Sequence, residues 1–559
     1  MADCTVGDYL LRRLRELGIR HVFGVPGDYQ LEFLDQLEAT DWPKGDGITW
    51  VGNCNELNAA YAADGYARLH GIGAVVTTFG VGELSALNGV GGAYAEQVPL
   101  VSIVGMPATF VIRERQSVHH TTGDGDFTRA AKCAAEFTVA QALLSRDNAA
   151  AEIDRALSLC WLLKRPVYLM LPADVAGQPI PAPAGPLELP EPTSDPAKLA
   201  KFTRDAQRLI GPARSVAVLV GHEVDRYRLG PRVVALAEAL DAPVACLSSA
   251  KGVFPEGHEL FAGGYAGQLS DPETRRTIED AECLIAVGTV FTDSTTGGFT
   301  QHIDPERLIE LHPAAATVAG TCHSHVAMAD ALDALTRPAD RKPHRAERPP
   351  RHRAAAEPDA RLAQNRFWPL LGEFLEPGDV IIAEQGTCFF GAADIALPRD
   401  CTFFGQPLWG SIGYTLPALL GSMLAAPDRR HVLLIGDGSF QLTAQELATV
   451  LRLGLNPVIV LVNNDGYTVE RCILGPDADF NGIARWRYDR LVEAFDPAGR
   501  AITVTVRTEG ELTAALDAAA ANRDRLVFVE AVMDRLDAPE SVVRIGKAFA
   551  ASDYHHAPV

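Results

Sequence analysis

The sequence predicts an α/β protein of three doubly wound parallel-sheet domains. Short, largely apolar runs such as 74–79, 215–220, 432–435 and 458–462 recur along its 559 residues. Helical periodicity fills the intervals between them. Strands that alternate with helices, with no alternation of polar and apolar residues inside the strands, imply parallel sheets covered on both faces. Two stretches, 172–198 and 337–359, are rich in Pro with Ala or with Arg and His. Such stretches mark domain boundaries and divide the chain into roughly 1–180, 195–340 and 360–559.

Taken in order, Thr5 starts a helix in which Val6, Tyr9, Leu10, Leu14 and Leu17 share one face. Residues 21–25 then read as a strand ending at Pro26-Gly27-Asp28, 55–69 as a helix, and 74–79 and 100–104 as strands. The middle piece offers strands at 215–220, 244–247 and 283–288. The last offers strands at 380–383, 432–435, 458–462 and 526–530. In doubly wound sheets, ligands lie beyond the carboxyl ends of strands. Asp28, Asp437 and Asn464 all fall at such ends.

Hydrophobic content of 47% and charged content of 22% are ordinary for a globular protein. A formal charge of −21 argues against nucleic-acid and anionic-membrane partners, which require basic surfaces. No apolar run reaches spanning length, and residues 1–14 lack the pattern of an export signal. Ten scattered cysteines without a Cys-x-x-Cys fit reduced thiols in a cytoplasmic protein better than a disulfide framework.

The densest chemistry runs from Gly436-Asp437-Gly438-Ser439 to Asn463-Asn464-Asp465-Gly466-Tyr467-Thr468-Val469-Glu470. Two hard-oxygen side chains, Asp437 and Asn464, close two strands one βαβ unit apart, each at a glycine turn. That suits a hydrated divalent cation, which takes few protein oxygens and completes its octahedron with phosphate and water. Backbone N–H groups at the turn and at the following helix start would receive a diphosphate. The chain has no Gly-x-x-x-x-Gly-Lys-Ser/Thr, so a P-loop is excluded, and a dinucleotide fingerprint is poorly supported.

This block resembles the thiamine diphosphate-binding motif, and other stretches extend the resemblance along nearly the whole chain. They are Phe23-Gly24-Val25-Pro26-Gly27-Asp28, Cys54-Asn55-Glu56 through Arg68, Gly80-Val81-Gly82-Glu83-Leu84-Ser85, His119-His120-Thr121 and Gln406-Pro407-Leu408-Trp409-Gly410-Ser411-Ile412-Gly413-Tyr414. Together they are similar to the thiamine diphosphate-dependent 2-keto acid decarboxylases that act on pyruvate, indolepyruvate or branched-chain keto acids. The resemblance implies that the first and last domains are alike and bind the cofactor. It also implies a homodimer or homotetramer whose active sites lie between subunits, with Glu56 of one chain facing Asp437 and Asn464 of another.

The resemblance assigns further roles. Glu56, otherwise an ordinary first-turn glutamate, would hydrogen-bond the cofactor's pyrimidine nitrogen and favour the tautomer that activates thiazolium C2. Asp28, His119, His120 and Glu470 would form the proton-transfer set. Taken alone, adjacent histidines point apart and are more often surface residues, and Glu470 could simply pair with Arg471 on a helix surface. If Asp28 and Glu470 are crowded in an apolar pocket, desolvation and like charge would favour their neutral forms. Asp437, Asn464 and Gly466 would hold Mg²⁺. Gly386, Thr387, Gly410, Ile412, Gly436, Gly438 and Ser439 would contact the cofactor, with Ile412 wedging it into a bent shape.

Substrate-pocket candidates are Gln385, Phe389, Phe390, Val469, Ile545, Phe549 and the 292–299 stretch. Valine at 469, where pyruvate-specific relatives tend to carry isoleucine, frees one methylene. Such a change discriminates by only about 1–3 kcal/mol, so branched-chain or broad-range keto acids are expected, with indolepyruvate, phenylpyruvate or pyruvate as alternatives. An acetolactate synthase-like carboligase is disfavoured by the His119-His120 with Glu470 combination. Cys322-His323-Ser324-His325 reads as a surface loop rather than a zinc site, because no distant ligand pair accompanies it. His555-His556 reads as a disordered tail.

Overall fold

The computed structural model describes residues 3–40, 47–336 and 356–554. The His555-His556 tail and most of the 337–359 linker lie outside the described residues. The chain forms two compact units. One comprises residues 1–191, 413–428 and 443–455, and the other 192–412, 429–442 and 456–559.

The first unit holds a six-stranded sheet in the order Thr49–Gly52, His21–Gly24, Gly73–Thr78, Leu100–Met106, Val167–Pro172, Gln141–Leu143. All its pairings are parallel. The helix Val6–Glu16 opens on Thr5, whose hydroxyl accepts from Asp8 N while the Asp8 carboxylate accepts from Thr5 N. A reciprocal cap of this kind stabilises a helix by about 1 kcal/mol. Its predicted face is buried, with Val6, Leu10 and Leu14 fully inaccessible. Each contributes about 1.5–3 kcal/mol through burial.

The stretch read as a linker from residue 172 carries structure in its first part. The helix Ala173–Ala176 follows the last sheet strand directly, and Pro179–Pro181 pairs antiparallel with Asp3–Thr5. Proline tolerates this two-stranded ribbon because edge strands need no donor on the outer side.

Two helices from late in the sequence, Thr415–Ala425 and Glu446–Arg452, belong to this unit. Thr415–Ala425 packs backbone-to-backbone on Glu56–His70. A Cβ on Gly65 would stand 2.1 Å from Ala418 O, and one on Gly421 would stand 1.7 Å from Ala62 O. Beside this contact the buried Arg68 bonds Asp64 at 2.7 Å, and Tyr414 donates to the same carboxylate.

The second unit holds two sheets. The last-domain sheet runs Thr402–Phe404, Val380–Ala383, His431–Gly436, Val458–Asn463, Val527–Val532, Ile502–Val506, all parallel. Numbered by chain order, both this sheet and the first have the arrangement 2-1-3-4-6-5. The central sheet has five parallel strands, then two antiparallel ones, Ala315–Val318 and Thr321–Ser324. Cys322-His323-Ser324 therefore lies in a strand, not a loop. His323 points into the core while Cys322 and Ser324 face out, because side chains alternate across a strand. The candidate ligands consequently do not converge.

All ten cysteines are free thiols. Among the described residues, no helix is long and apolar enough to cross a membrane.

Candidate active site

In the last domain, the strand His431–Gly436 ends at Asp437, the first residue of the helix Asp437–Thr443. This is the point where strand order reverses, which is where doubly wound sheets open a crevice. Asp437 is only 1% exposed. Its Oδ1 accepts from Gly438 N at 2.8 Å and its Oδ2 from Gly466 N at 3.1 Å. Burial pushes its pKa up to about 6 despite these donors. A buried carboxylate without a countercharge is costly, and a bound cation would supply one.

The strand Val458–Asn463 leads into Asn464, which is buried. The amide end of Asn464 lies 3.1 Å from Gly466 O and 3.3 Å from Asp437 Oδ1, and its other amide atom lies 2.9 Å from Thr468 Oγ1. Turned one way, the amide donates to both oxygens. Turned the other way, three acceptor oxygens face one another with no donor between them. Adjacent ligands of an octahedral Mg²⁺ at about 2.1 Å are spaced about 3.0 Å apart. The residues present therefore fit a magnesium ion.

The turn is held open by unusual backbone. Asp465 has φ 59° and Gly466 φ 114°. A Cβ on Gly466 would stand 2.2 Å from Asn481 O, so only glycine fits. Arg471 clamps the turn from beneath. It is buried, and Nη2 donates to Asp465 O at 2.6 Å and to Asn481 O at 3.0 Å. Pairing of Glu470 with Arg471 on a helix surface is thus corrected: Arg471 turns inward to carbonyls, and Glu470 is exposed on the helix Thr468–Leu474. Arg471 is a residue that the sequence reading missed. The available signal was an arginine beside a turn whose carbonyls need donors.

Other predicted contacts gather nearby. Ser439 is buried, and Gly438 lies against the Tyr467 ring. Gly386, at φ 125°, begins the helix Thr387–Ala393, and Val469 reaches to within 3.7 Å of where its Cβ would be. Gln385 is half-buried in the same turn. Gly410, at φ 64°, has open space about it, and Ile412 is half-buried. Phe389 is a core residue packed on Phe403 and Gly405, while Phe390 and Ile545 line a cavity whose walls do not include Asp437. Phe549 is half-buried against the core of the last domain.

In the first unit, Asp28 follows the strand His21–Gly24. Its Oδ2 lies 2.8 Å from His119 Nε2. Tyr29 stacks on His119 at 4.9 Å, and His120 meets His119 edge-on at 4.6 Å. The two histidines do not point apart, because His120 adopts φ 62°. That left-handed backbone brings both rings to one carboxylate, the kind of strain that concentrates at functional sites. One ligand atom each from Asp28, His119 and His120 lies within 4.8 Å of the others. Asp28 and His119 are exposed, and so is Glu470, so the apolar crowding expected around the two acids is not seen in the single chain. The backbone of His120 runs over Gly80, where any side chain would strike His120 O.

Glu56 opens the helix Glu56–His70 behind the cap Asn55. Its carboxylate lies 3.0 Å from where a Gly82 Cβ would be. Glu446, fully buried, accepts from Asn53 Nδ2, Cys54 N and Asn58 Nδ2 at 2.7–3.2 Å. It fixes the turn that presents Glu56, and it too escaped the sequence reading.

A strand-end carboxylate, an amide and glycine turns at the switch point of one parallel sheet are the features of an α/β enzyme that binds a diphosphate cofactor. Three families match the chain in succession: the thiamine pyrophosphate enzyme N-terminal binding domain at residues 4–126, the central domain at 203–337 and the C-terminal binding domain at 386–531. The alpha-keto-acid decarboxylase of Mycolicibacterium paratuberculosis is 48% identical over 97% of this chain and 96% of its own length. Those of Mycobacterium avium and Mycobacterium ulcerans are 47% and 48% identical over 97% and 96% of this chain and 96% and 94% of their own lengths. An X-ray structure from Mycobacterium smegmatis, of a protein assigned as a thiamin diphosphate-dependent enzyme, superposes with a TM-score of 0.75 at 23% identity. It covers 95% of this chain and 99% of that one, and so supports the fold. The chain belongs to the thiamine pyrophosphate enzymes, in the group of the alpha-keto-acid decarboxylases.

Proposed function

We propose that the protein decarboxylates 2-keto acids without oxidation, releasing an aldehyde and CO₂, with thiamine diphosphate and Mg²⁺ bound. The observation that carries the reading is the Asp28–His119 hydrogen bond at 2.8 Å with His120 packed against it. This is a carboxylate–imidazole set able to hold and deliver a proton. Full-length identity of 48% to an alpha-keto-acid decarboxylase supports it independently.

When bound, thiamine diphosphate supplies a carbon nucleophile and an electron sink for the departing carboxylate. Asp437, Asn464 and the Gly466 carbonyl would hold Mg²⁺, and Gly438 N and Ser439 at the helix start would receive the diphosphate. Glu56 would hydrogen-bond a ring nitrogen of the cofactor's pyrimidine and favour the tautomer that activates it. His119, held by Asp28 at Nε2 and by Tyr29 at Nδ1, would share with Asp28 the proton that is delivered to the substrate carbon. Glu470 would repel the substrate carboxylate and so favour its loss as CO₂. Val469 beside Gly386 would border the side-chain subsite and admit branched-chain or broad-range keto acids. By the same reading the enzyme is a homodimer or homotetramer in the cytoplasm, with Glu56 of one subunit serving the metal corner of another.

The test is a panel of pyruvate, branched-chain, phenyl- and indole-keto acids assayed with added cofactor and Mg²⁺. Aldehyde and CO₂ in equal amounts, with branched-chain substrates leading in kcat/KM, are expected. Acyloin as the main product would favour a carboligase, and no turnover of any keto acid would end the reading.

A further inference from the structure

Among the described residues, one group of three histidine, cysteine or acidic side chains converges closely enough to hold a metal ion: Asp28, His119 and His120. All three belong to the first unit. One ligand atom from each lies within 4.8 Å of the other two, and Asp28 Oδ2 already stands 2.8 Å from His119 Nε2. Ligands at about 2.0–2.1 Å from a tetrahedral ion stand about 3.3 Å from one another. Seating an ion therefore parts the first pair by about 0.5 Å and draws His120 in by at most about 1.5 Å. Small rotations of the exposed Asp28 and His119 side chains cover such distances.

The surroundings hold the three ligands ready. The left-handed backbone of His120 turns its ring edge-on to His119. That backbone rests on bare Gly80, where a Cβ would stand 2.1 Å from His120 O. His120 Nδ1 has no hydrogen-bond partner. Tyr29 stacks on the His119 ring, and its hydroxyl lies 3.3 Å from His119 Nδ1. With Nε2 on an ion, Nδ1–H faces that hydroxyl, the kind of outer partner that orients a ligating histidine. No cationic side chain competes for the carboxylate: among the described residues, the ionic partner of Asp28 is His119 alone. The arginines of the same loop turn elsewhere, Arg113 to Glu114 and Arg115 to Gly125 O.

The donor set selects the ion. Two imidazoles and a carboxylate suit Zn²⁺ and its first-row neighbours, whereas Mg²⁺ takes oxygen. Three protein ligands also leave a position open for water. We propose that Asp28, His119 and His120 form an inhibitory site for Zn²⁺ or a similar borderline divalent ion. Only the effect on turnover rests on the decarboxylase reading. An ion there takes the imidazole lone pairs and the carboxylate, the proton shared by Asp28 and His119 leaves to solvent, and the set has none to deliver.

The test titrates the untagged full chain, loaded with thiamine diphosphate and excess Mg²⁺, with Zn²⁺ and with Co²⁺ as a coloured stand-in. Zn²⁺ is expected to stop keto acid turnover, a chelator to restore it, and Co²⁺ to show the intense visible bands of a four-coordinate, nitrogen-ligated ion. Asp28→Asn, His119→Gln and His120→Gln, read by metal binding alone, should each weaken Zn²⁺ at least about 100-fold. Asp437→Asn should leave the cobalt bands as they are. No Zn²⁺ binding tighter than about 1 mM, bands that survive all three variants, or bands lost in Asp437→Asn would each overturn the site. Should the variants not fold, X-ray absorption of the Zn²⁺-loaded unaltered chain decides: two imidazoles around the ion uphold the site, and none overturns it. Turnover that persists without Zn²⁺ binding would strike the site and leave the decarboxylase reading standing. Zn²⁺ held by the three side chains with turnover intact would overturn the inhibition, and with it proton transfer by this set.

Discussion

The first and last sheets share the strand arrangement 2-1-3-4-6-5, yet they use the same switch point in opposite ways. After the third strand of the last sheet, Asp437 is buried and its oxygens face those of Asn464 and Gly466. After the third strand of the first sheet the corresponding turn carries Gly80, and the nearest acid, Glu83, is turned back. Glu83 accepts from Gly80 N at 2.8 Å and from the Tyr168 hydroxyl. One acid is left with unshared acceptor capacity, and the other is consumed within its own domain. The end of the first strand differs too. In the last sheet it opens on the bare Gly386 turn, and in the first it presents Asp28, exposed and bonded to His119. A shared scaffold thus yields a buried corner suited to binding and an exposed cluster suited to moving protons.

The sharpest way to break this division is to exchange the effects. Asp28→Asn should lower kcat about 10²–10⁴-fold with cofactor saturation unchanged. A matching loss of cofactor affinity would show that the exposed cluster binds rather than reacts. Asp437→Asn should do the reverse, raising the Mg²⁺ concentration needed for activity by more than about 100-fold, since changes behind a metal ligand already cost 10–100-fold. A titration curve superimposable on the wild type would remove Asp437 from the metal corner.

Within the first domain, Tyr168→Phe should cost about 1–3 kcal/mol of stability by stripping a donor from the buried Glu83. An unmoved urea midpoint would mean that Glu83 is not held as described. The smallest effect concerns His21, at the start of the first strand, where the last sheet has Val380. Burial lowers the pKa of His21 to about 4 from 6.5. The unfolded chain therefore binds a proton that the folded one refuses. The His21 contribution is fully present above pH 6.5 and is lost as pH falls toward 4. Over the step from 6.5 to about 5, unfolding free energy should drop by about 1–2 kcal/mol, and His21→Gln should flatten that step.

Much of the local framework of the candidate site was legible because its chemistry is local. Asp437 and Asn464 follow from apolar runs that end in hard oxygens beside glycine, and the strand ends fall within a residue or two of those expected. Arg471 and Glu446 were not legible, because each serves carbonyls or amides brought to it by the fold. Glu446 reaches Asn53 and Asn58 across nearly 400 residues of chain. The Cys322-His323 run failed as a loop because polar residues on an edge strand look like loop residues in sequence.

The sequence by itself determined the class of fold, the order of its strands along the chain and which residues, Asp437 and Asn464 among them, stand at the strand ends, since period and turn chemistry are properties of neighbouring residues. Tertiary structure alone decided that the helices Thr415–Ala425 and Glu446–Arg452 pack with the first unit, that His119 and His120 converge on Asp28, and that Arg471 turns inward. Those outcomes depend on close backbone approach, left-handed backbone and buried hydrogen-bond demand. Each arises from residues far apart in the chain, and no local pattern encodes it.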